Sequence, residues 1–263
     1  MMSQMQIPRD INRIGAECAQ TCKKPPAAWV SGGGTGFKAA IFDLDGTLVD
    51  SYKSWEYAYR KALSAVGHDM TDDEFTELYH MTREESMVIF REVYQAWDNV
   101  EKMSYEKYID KIFADINNEM KNQYAADVIE KPHALEYVKS LRHKGVRVCV
   151  ATLTQAALSE TALERLGFMP YLEFVITSND VGRSKKFPDI FLQAAKRLGF
   201  NPSVSIVFED CPTAIQTAHN AGFMVCGVAD RYRKQHISEL ASYYNWGIDS
   251  FSDAPGYSTV CVP

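Results

Sequence analysis

Two aspartates in the segment Asp43-Leu44-Asp45-Gly46-Thr47 follow the apolar run 37–42. If a buried strand ends there, both carboxylates can project into one cleft, one as a nucleophile and the other as a proton carrier. That pairing indicates covalent phosphoryl chemistry. Asp and Gly also favour tight turns, so the pentapeptide alone is equally compatible with a turn that has no catalytic role.

Polar side chains also accompany three later strand-like runs, which are 146–151, 174–176 and 204–208. Thr152 follows the first run, Lys185 comes after the second, and the acidic pair Glu209-Asp210 follows the third. In an open α/β sheet, ligands bind outside the carboxyl ends of the strands. The sequence therefore predicts that these four polar groups meet the two aspartates in one cleft.

The ordered motifs Asp-x-Asp-Gly-Thr, Thr, Lys-x-x-Pro-Asp and Glu-Asp resemble those of the haloacid dehalogenase superfamily. More narrowly, they resemble its branch of phosphatases and β-phosphoglucomutases, which carries a helical cap after the first motif. The resemblance extends from about residue 37 to about residue 228. It implies an α/β fold, with a Rossmann-like parallel sheet as the core and an inserted α-helical cap domain.

The resemblance also implies a role for each motif residue. Asp43 would be the nucleophile and Asp45 the general acid and base. Thr152 and Lys185 would hold the phosphoryl oxygens. A Mg²⁺ cofactor would be bound by four groups: Asp43, the backbone carbonyl of Asp45, Asp210 and, in a supporting role, Glu209.

The charges of this proposed site call for a cation. A phosphate monoester carries roughly −1.5 to −2 charges, and like charges about 4 Å apart repel by about 4 kcal/mol at an effective dielectric constant near 20. A carboxylate nucleophile therefore needs help to approach a phosphate. Mg²⁺ is suited to this because it binds one or two carboxylates together with phosphate oxygens and water.

Each motif residue also has an interpretation without catalysis. Thr152 suits an ordinary strand end, and only the family's spacing selects Lys185 over its neighbour Lys186. Glu209 could accept hydrogen bonds from the first turn of the next helix. The chain further departs from the family pattern at three positions, where we expect altered substrate preference more than altered chemistry: Leu153, Cys211 and Ala214.

The segment 51–131 is expected to be the helical cap, because its apolar residues recur at helical spacing. We expect most of its aromatic residues to form the core of a helical bundle. Two residues are candidates for substrate specificity: Trp55 near the start of the cap, and Arg83 in a stretch similar to the branch's specificity loop. Arg83 could equally be a solvated charge at a helix start.

The remaining segments complete a predicted domain plan. Residues 37–50 and 132–263 are expected to form the α/β core, with strands and helices alternating as in a parallel sheet. Residues 1–36 are a polar, glycine-containing leader that we expect to be flexible. The tail from residue 230 onward carries no motif, and we expect it to cover the edge of the sheet.

Composition narrows the range of partners. The chain has 263 residues, 46% of them hydrophobic, which is enough for a sizeable core and an inserted smaller domain. Its formal net charge of −6 argues against nucleic acid or an anionic membrane as a partner. The sequence has no apolar stretch long enough to span a membrane and no signal-peptide pattern, so a cytoplasmic location is predicted. Its six cysteines lack a disulfide or zinc-binding pattern.

These features predict a Mg²⁺-dependent phosphatase of a small phosphorylated metabolite, acting through an aspartyl-phosphate intermediate. The specific substrate and the oligomeric state are left open. A β-phosphoglucomutase is the main alternative, although Trp55 occupies the position of a histidine that such mutases carry early in the cap. A non-catalytic phosphate-binding protein is a further alternative, in which the pair Asp43 and Asp45 would have no purpose.

Overall fold

The computed structural model describes residues 36–79, 81–96, 103–230 and 240–257. The predicted leader therefore lies almost wholly outside the described residues, as does part of the tail. The strands in these ranges are β1 (Ala39–Phe42), β2 (Val49–Asp50), β3 (Ile129–Glu130), β4 (Arg147–Thr152), β5 (Val175–Thr177), β6 (Ser205–Glu209), β7 (Met224–Val228) and β8 (Trp246–Ile248).

Six of these described strands form one parallel sheet in the order β5-β4-β1-β6-β7-β8. Strand β1 is fully buried, which fits its apolar sequence Ala-Ala-Ile-Phe, because a parallel sheet has both of its faces covered. Phe42 is in register with Val150 of β4 and with Phe208 of β6. The three central strands thus end at nearly the same level.

The helices in the described ranges are α1 (Tyr52–Ser64), α2 (Asp72–Leu78), α3 (Arg83–Ala96), α4 (Tyr105–Ala126), α5 (Ala134–His143), α6 (Ala156–Arg165), α7 (Ser178–Val181), α8 (Asp189–Leu198) and α9 (Pro212–Asn220). Helices α5 and α6 pack on one face of the sheet, while α8 and α9 pack on the other. This is the predicted α/β fold, with a parallel sheet covered on both faces.

Helices α1 to α4 form the predicted helical insertion. Helix α1 packs along α4, and the aromatic rings between the helices are buried, as the sequence indicated; they include Tyr59, Phe75, Phe90 and Phe113. The short strands β2 and β3 pair antiparallel and join the two ends of the insertion to the core. The exact boundaries of a separate domain at 51 and 131 stay a prediction.

The tail adds a strand along the edge of the sheet that it was expected to cover. Strand β8 pairs in parallel with β7. The chain then turns back so that the buried ring of Phe251 packs against Phe42, Tyr137 and Phe208. Within the described residues, none of the helices is both long enough and apolar enough to cross a membrane.

Candidate active site

The loop after β1 brings the backbone of the first motif close to the end of β6. The Asp43 amide donates a hydrogen bond to the Phe208 carbonyl at 2.9 Å. Gly46 adopts a left-handed conformation with a φ of +84°, and a Cβ at this position would lie only 2.4 Å from Asp210 Oδ2. A glycine is therefore needed here both for the backbone conformation and for the approach of Asp210.

Three buried carboxylates meet where β1 and β6 end side by side. Asp43 follows β1, Glu209 is the last residue of β6, and Asp210 follows it. One oxygen from each carboxylate lies within 4.8 Å of the others. The amide of Cys211 donates to Glu209 Oε1 at 3.1 Å, and the Thr47 hydroxyl donates to Asp210 Oδ1 at 3.4 Å. We call Asp43, Glu209 and Asp210 the acidic cluster.

Lys185 provides a positive charge inside this cluster. Its ammonium donates hydrogen bonds to Asp43 Oδ1 and to Glu209 Oε2, the latter at 2.7 Å. Lys185 is only 4% exposed, whereas the neighbouring Lys186 is half-exposed and forms an ion pair with Glu85. The structure thus brings the lysine selected by the motif spacing to the acidic cluster.

Burial and mutual repulsion shift the pKa values in the cluster. Burial, reinforced by the charge of Glu209, raises the pKa of Asp43 to about 7, even though Lys185 opposes the shift. The same two causes raise the pKa of Asp210 well above its usual value. Burial alone would lower the pKa of Lys185, but Asp43 and Glu209 outweigh it, so that pKa is raised. The acidic cluster therefore favours binding either a proton or a further cation.

The acidic cluster fits a divalent metal ion. All of its donor atoms are carboxylate oxygens, which are the ligands preferred by Mg²⁺ and Ca²⁺. The three carboxylates are buried with an oxygen of each within 4.8 Å of the others, and the raised pKa values of Asp43 and Asp210 indicate an excess of negative charge there. The side chain of Asp45 is not part of this cluster, so the predicted role of Asp45 as a ligand rests on its backbone carbonyl.

The carboxylate of Asp45 is held by four hydrogen-bond donors away from the cluster. Its Oδ1 accepts from the Ser51 hydroxyl, from the Trp55 ring nitrogen at 3.2 Å and from the Tyr124 hydroxyl. Its Oδ2 accepts from the Thr154 hydroxyl at 2.6 Å. Asp43 and Asp45 therefore have different surroundings, one among charges and the other among neutral donors.

Thr152 is the last residue of β4 and is buried beside the site. Its hydroxyl oxygen accepts a hydrogen bond from the Thr154 amide at 3.0 Å, which orders the loop after the strand. A cavity of about 530 Å³ connects Thr152 with both aspartates, Lys185 and the acidic pair. The predicted site residues are thus brought together at the carboxyl edge of the sheet.

The two specificity candidates both line this cavity, in different ways. Trp55 contacts Asp45 directly through its ring nitrogen. Arg83 is half-exposed, forms an ion pair of 2.9 Å with Asp110 and stacks on the Phe113 ring, with its guanidinium carbon 4.5 Å from the ring centroid. The helical insertion thus supplies one wall of the cavity, opposite the strand ends.

Three of the residues that hold Asp45 were not predicted from the sequence: Ser51, Thr154 and Tyr124. Ser51 and Thr154 lie close to recognised motifs, so their proximity was a usable signal. Tyr124 is 79 positions from Asp45 and belongs to a run of buried residues at helical spacing. Such a run looks like ordinary helix core, so the sequence holds no signal that separates Tyr124 from its buried neighbours.

Residues 40–228 match the family described as haloacid dehalogenase-like hydrolase. Because this match covers most of the chain, the protein belongs to that family, as its motifs predicted. It is accordingly an enzyme of the phosphoric monoester hydrolase class within the haloacid dehalogenase superfamily.

The alignments with individual relatives extend over most of each relative's length. The chain is 28% identical to the phosphorylated carbohydrates phosphatase of Thermotoga maritima, over 70% of this chain and 82% of the relative. It is also 28% identical to the fructose-1-phosphate phosphatase YqaB of Escherichia coli, over 71% and 93%. The crystal structure of β-phosphoglucomutase from Clostridium difficile shares the fold with a TM-score of 0.66 at 22% identity, covering 82% of this chain and 92% of that one.

Proposed function

We propose that this protein is a Mg²⁺-dependent phosphatase that hydrolyses a small phosphorylated metabolite through an aspartyl-phosphate intermediate on Asp43. The observation that carries the proposal is the acidic cluster, with Lys185 bound to two of its members, at the base of a cavity of about 530 Å³. A buried nucleophile, a lysine and a set of oxygen ligands at one point are what phosphoryl transfer requires.

The acidic cluster, with the backbone carbonyl of Asp45, would hold the Mg²⁺ ion. When bound, the ion would offset negative charge on the carboxylates and the phosphate, so that an anionic nucleophile can approach phosphorus. Lys185 would contribute in the same sense, because its ammonium already lies against Asp43 and Glu209. The hydroxyl of Thr152, at the end of β4, would donate to a phosphoryl oxygen.

Hydrolysis would proceed in two steps. In the first, Asp43 attacks phosphorus, the bond from phosphorus to the ester oxygen breaks, and protonated Asp45 gives its proton to that oxygen. The products are the free alcohol and phosphorylated Asp43. In the second step, ionised Asp45 takes a proton from water, whose oxygen attacks the same phosphorus and releases phosphate from Asp43. Asp45 ends as it began, protonated, and serves as acid and then as base.

The substrate class follows from the cavity and from the relatives. A volume of about 530 Å³ suits a small metabolite, and the relatives named above act on phosphorylated carbohydrates and on fructose 1-phosphate. We propose that the helical insertion acts as a cap over the leaving group, with Trp55 and Arg83 as the specificity residues. We also propose that the enzyme works in the cytoplasm and has neither nucleic acid nor membrane as a partner.

A β-phosphoglucomutase activity is the second candidate, and the fold match to the Clostridium difficile enzyme favours it. The side chain of Trp55 favours the hydrolase over the mutase. Its ring nitrogen donates to Asp45, and an indole N–H cannot accept a proton as a histidine can. A non-catalytic phosphate-binding protein is disfavoured, because phosphate binding alone does not require Asp43 to lie among charged groups and Asp45 among neutral donors.

The test is phosphate release from a panel of phosphorylated metabolites, with and without Mg²⁺, for the wild type and Asp43→Asn. We expect Mg²⁺-dependent release that the substitution lowers by a factor on the order of 10³ or more, since it removes the nucleophile. Asp115→Asn is the matched control, because it removes only a partly exposed ion pair with Lys111. Wild-type turnover in Asp43→Asn would reject the nucleophile, and interconversion of glucose phosphates without phosphate release would favour the mutase.

A further inference from the structure

Tyr124 lies where the helical insertion meets the proposed acid and base. It is near the C-terminal end of α4, it is fully buried, and its hydroxyl contacts Asp45 Oδ1. The surrounding helix is amphipathic and packs mainly on α1 of the insertion and on α6 of the core, and less on α3. A buried phenol that reaches a carboxylate of the core is therefore a feature that packing alone does not explain.

The direction of the hydrogen bonds around Tyr124 is fixed by chemistry. The indole nitrogen of Trp55 can only donate, and it lies 3.1 Å from the Tyr124 oxygen. The Tyr124 oxygen therefore accepts from Trp55 and donates its own proton to Asp45. Burial, together with the nearby charge of Asp45, raises the pKa of Tyr124 well above its usual value, so the phenol keeps the proton it donates.

The two oxygens of Asp45 are not equivalent. Oδ1 accepts from three donors, which are Ser51, Trp55 and Tyr124. Among the residues that the structure describes, Oδ2 accepts only from the Thr154 hydroxyl, which can also act as an acceptor by rotating its proton. Because Oδ1 is fully engaged, Oδ2 is the oxygen that is left to exchange a proton with the substrate.

Tyr124 is itself anchored to the α/β core. The guanidinium of Arg165, at the end of α6, donates to the Tyr124 carbonyl at 3.0 Å and also to the Val128 carbonyl. This fixes the last turn of α4 against a helix that packs on the sheet. The Tyr124 phenol is thus held against Asp45 by an ordered backbone. Because the phenol is already ordered, less conformational entropy is lost when it holds the Asp45 carboxylate in one orientation.

We propose that Tyr124, supported by Trp55, is a positioning residue that orients Asp45 so that Oδ2 faces the leaving-group oxygen. The inference rests on the proposed function, since it gives Asp45 the role of proton donor. It assigns the insertion a second task besides covering the cavity: α1 and α4 each contribute one member of the chain Trp55, Tyr124, Asp45. Tyr124 does not itself touch the reacting atoms.

The test compares two kinds of ester in Tyr124→Phe, using kcat/KM, which reports the steps up to release of the alcohol. One substrate is p-nitrophenyl phosphate, whose leaving group departs without a proton. The other is the sugar phosphate with the highest kcat/KM in the phosphate-release panel. Its alkoxide leaving group needs a proton in order to depart. We expect kcat/KM for the sugar phosphate to fall about 10- to 100-fold, as for a hydrogen bond to a charged group, and that for p-nitrophenyl phosphate to change less than about threefold.

Two controls separate this inference from its premise. Asp45→Asn must show the same selective loss, only larger. If Asp45→Asn lowers kcat/KM equally for both substrates, Asp45 is not the proton donor and the proposed function fails at that point. Tyr108→Phe, which changes an equally buried tyrosine on the same helix, is expected to leave both kcat/KM values close to those of the wild type.

Equal losses with both esters in Tyr124→Phe would mean that the residue only supports packing, and unchanged values with both would mean that it has no role. Either result would overturn the inference. If Tyr124→Phe proves unfolded by its thermal midpoint, Trp55→Phe serves instead, because it removes the donor to both Tyr124 and Asp45. Since Trp55 also lines the cavity, phenyl phosphate then replaces the sugar phosphate, because it resembles p-nitrophenyl phosphate in shape but has a more basic leaving group. A larger loss of kcat/KM with phenyl phosphate than with p-nitrophenyl phosphate is expected, and equal losses would overturn the inference.

Discussion

Gly46 allows the Asp210 carboxylate to approach the backbone of the first motif closely. Its α-carbon faces the Asp210 carboxylate, and a methyl group there would lie 2.4 Å from Oδ2 and 2.7 Å from Cγ. The Asp210 carboxylate therefore lies against the backbone of residue 46, with no room for a side chain between them. A side chain at position 46 would displace Asp210 from Asp43 and Glu209, and so would separate the three carboxylates that the proposed ion requires.

Gly46→Ala is predicted to lower Mg²⁺ affinity about tenfold or more, since changes next to metal ligands have effects of that size. The measurement is a Mg²⁺ titration by calorimetry. Gly67→Ala is the matched control: Gly67 has a similar φ of +80°, but nothing lies within 4 Å of its added methyl group. Both variants should lose about 1–2 kcal/mol of stability for the left-handed backbone. Equal Mg²⁺ affinities in the two variants would contradict the close approach of Asp210.

The sequence predicted the residues of this site that belong to motifs, and for a physical reason. Asp43, Thr152, Lys185 and Glu209 lie at or after strand ends, and parallel strands bring their carboxyl ends to one edge. The support around Asp45 could not be predicted in this way. Tyr124 reaches it through the packing of helices that are distant in sequence, and helical periodicity shows only that Tyr124 is buried.

Glu85 joins the helical insertion to the core across the cavity. Glu85, in the first turn of α3, forms an ion pair of 2.9 Å with Lys186 and accepts a hydrogen bond of 3.3 Å from the Ser184 hydroxyl. Ser184 and Lys186 flank Lys185, which binds the acidic cluster. A displacement of α3 would therefore act on the loop that carries Lys185, so the insertion and the core are mechanically connected at this point.

Glu85→Gln is predicted to raise KM about twofold to fivefold with a smaller change in kcat, because a partly exposed ion pair contributes at most about 1 kcal/mol. Steady-state kinetics on the panel substrate measures this. The difference between wild type and variant should shrink as salt is added, since salt screens the pair. Glu92→Gln, an exposed position on the same helix, is the control. A KM in Glu85→Gln equal to that of the control would show that the contact does not assist binding.

The buried strands were predictable to within a few residues, whereas the short pairings were not. β1 is apolar over its whole length, and β4 and β6 are apolar except at their first and last residues, which indicates buried parallel strands. β2 and β3 have only two residues each, and β8 is the tripeptide Trp246–Ile248. Such short segments carry no periodicity, and their pairing is decided by the neighbouring strand rather than by their own composition.

Stability of the folded protein should depend on pH through the acidic cluster. The pKa of Asp43 is raised from 3.8 to about 7 by folding, so the folded state binds more protons than the unfolded state between these values. Without metal, stability is therefore predicted to decrease as pH rises through that window. Mg²⁺ needs the ionised carboxylates, so the rise in thermal midpoint that it causes should be larger at about pH 8 than at about pH 5.5.

Thermal unfolding with and without a chelator, at both pH values, measures this linkage. Asp43→Asn should show a weaker dependence of the Mg²⁺ effect on pH, because one of the titrating ligands is gone. Asp115→Asn, with its partly exposed carboxylate, should behave like the wild type. A Mg²⁺ effect that is equal at the two pH values would show that the ion does not compete with protons for the acidic cluster.

The middle position of β1 in the sheet has a consequence for biosynthesis. β1 leaves the ribosome long before its two neighbours β4 and β6, and Lys185 follows Asp43 by 142 positions. Such a high contact order slows folding, because the entropy of closing long loops is lost before the strand pairing can stabilise the chain. A nascent chain that ends before Ser205 lacks β6, so its apolar central strand β1 has no partner on one side. We expect such a chain to be inactive and to need protection by chaperones.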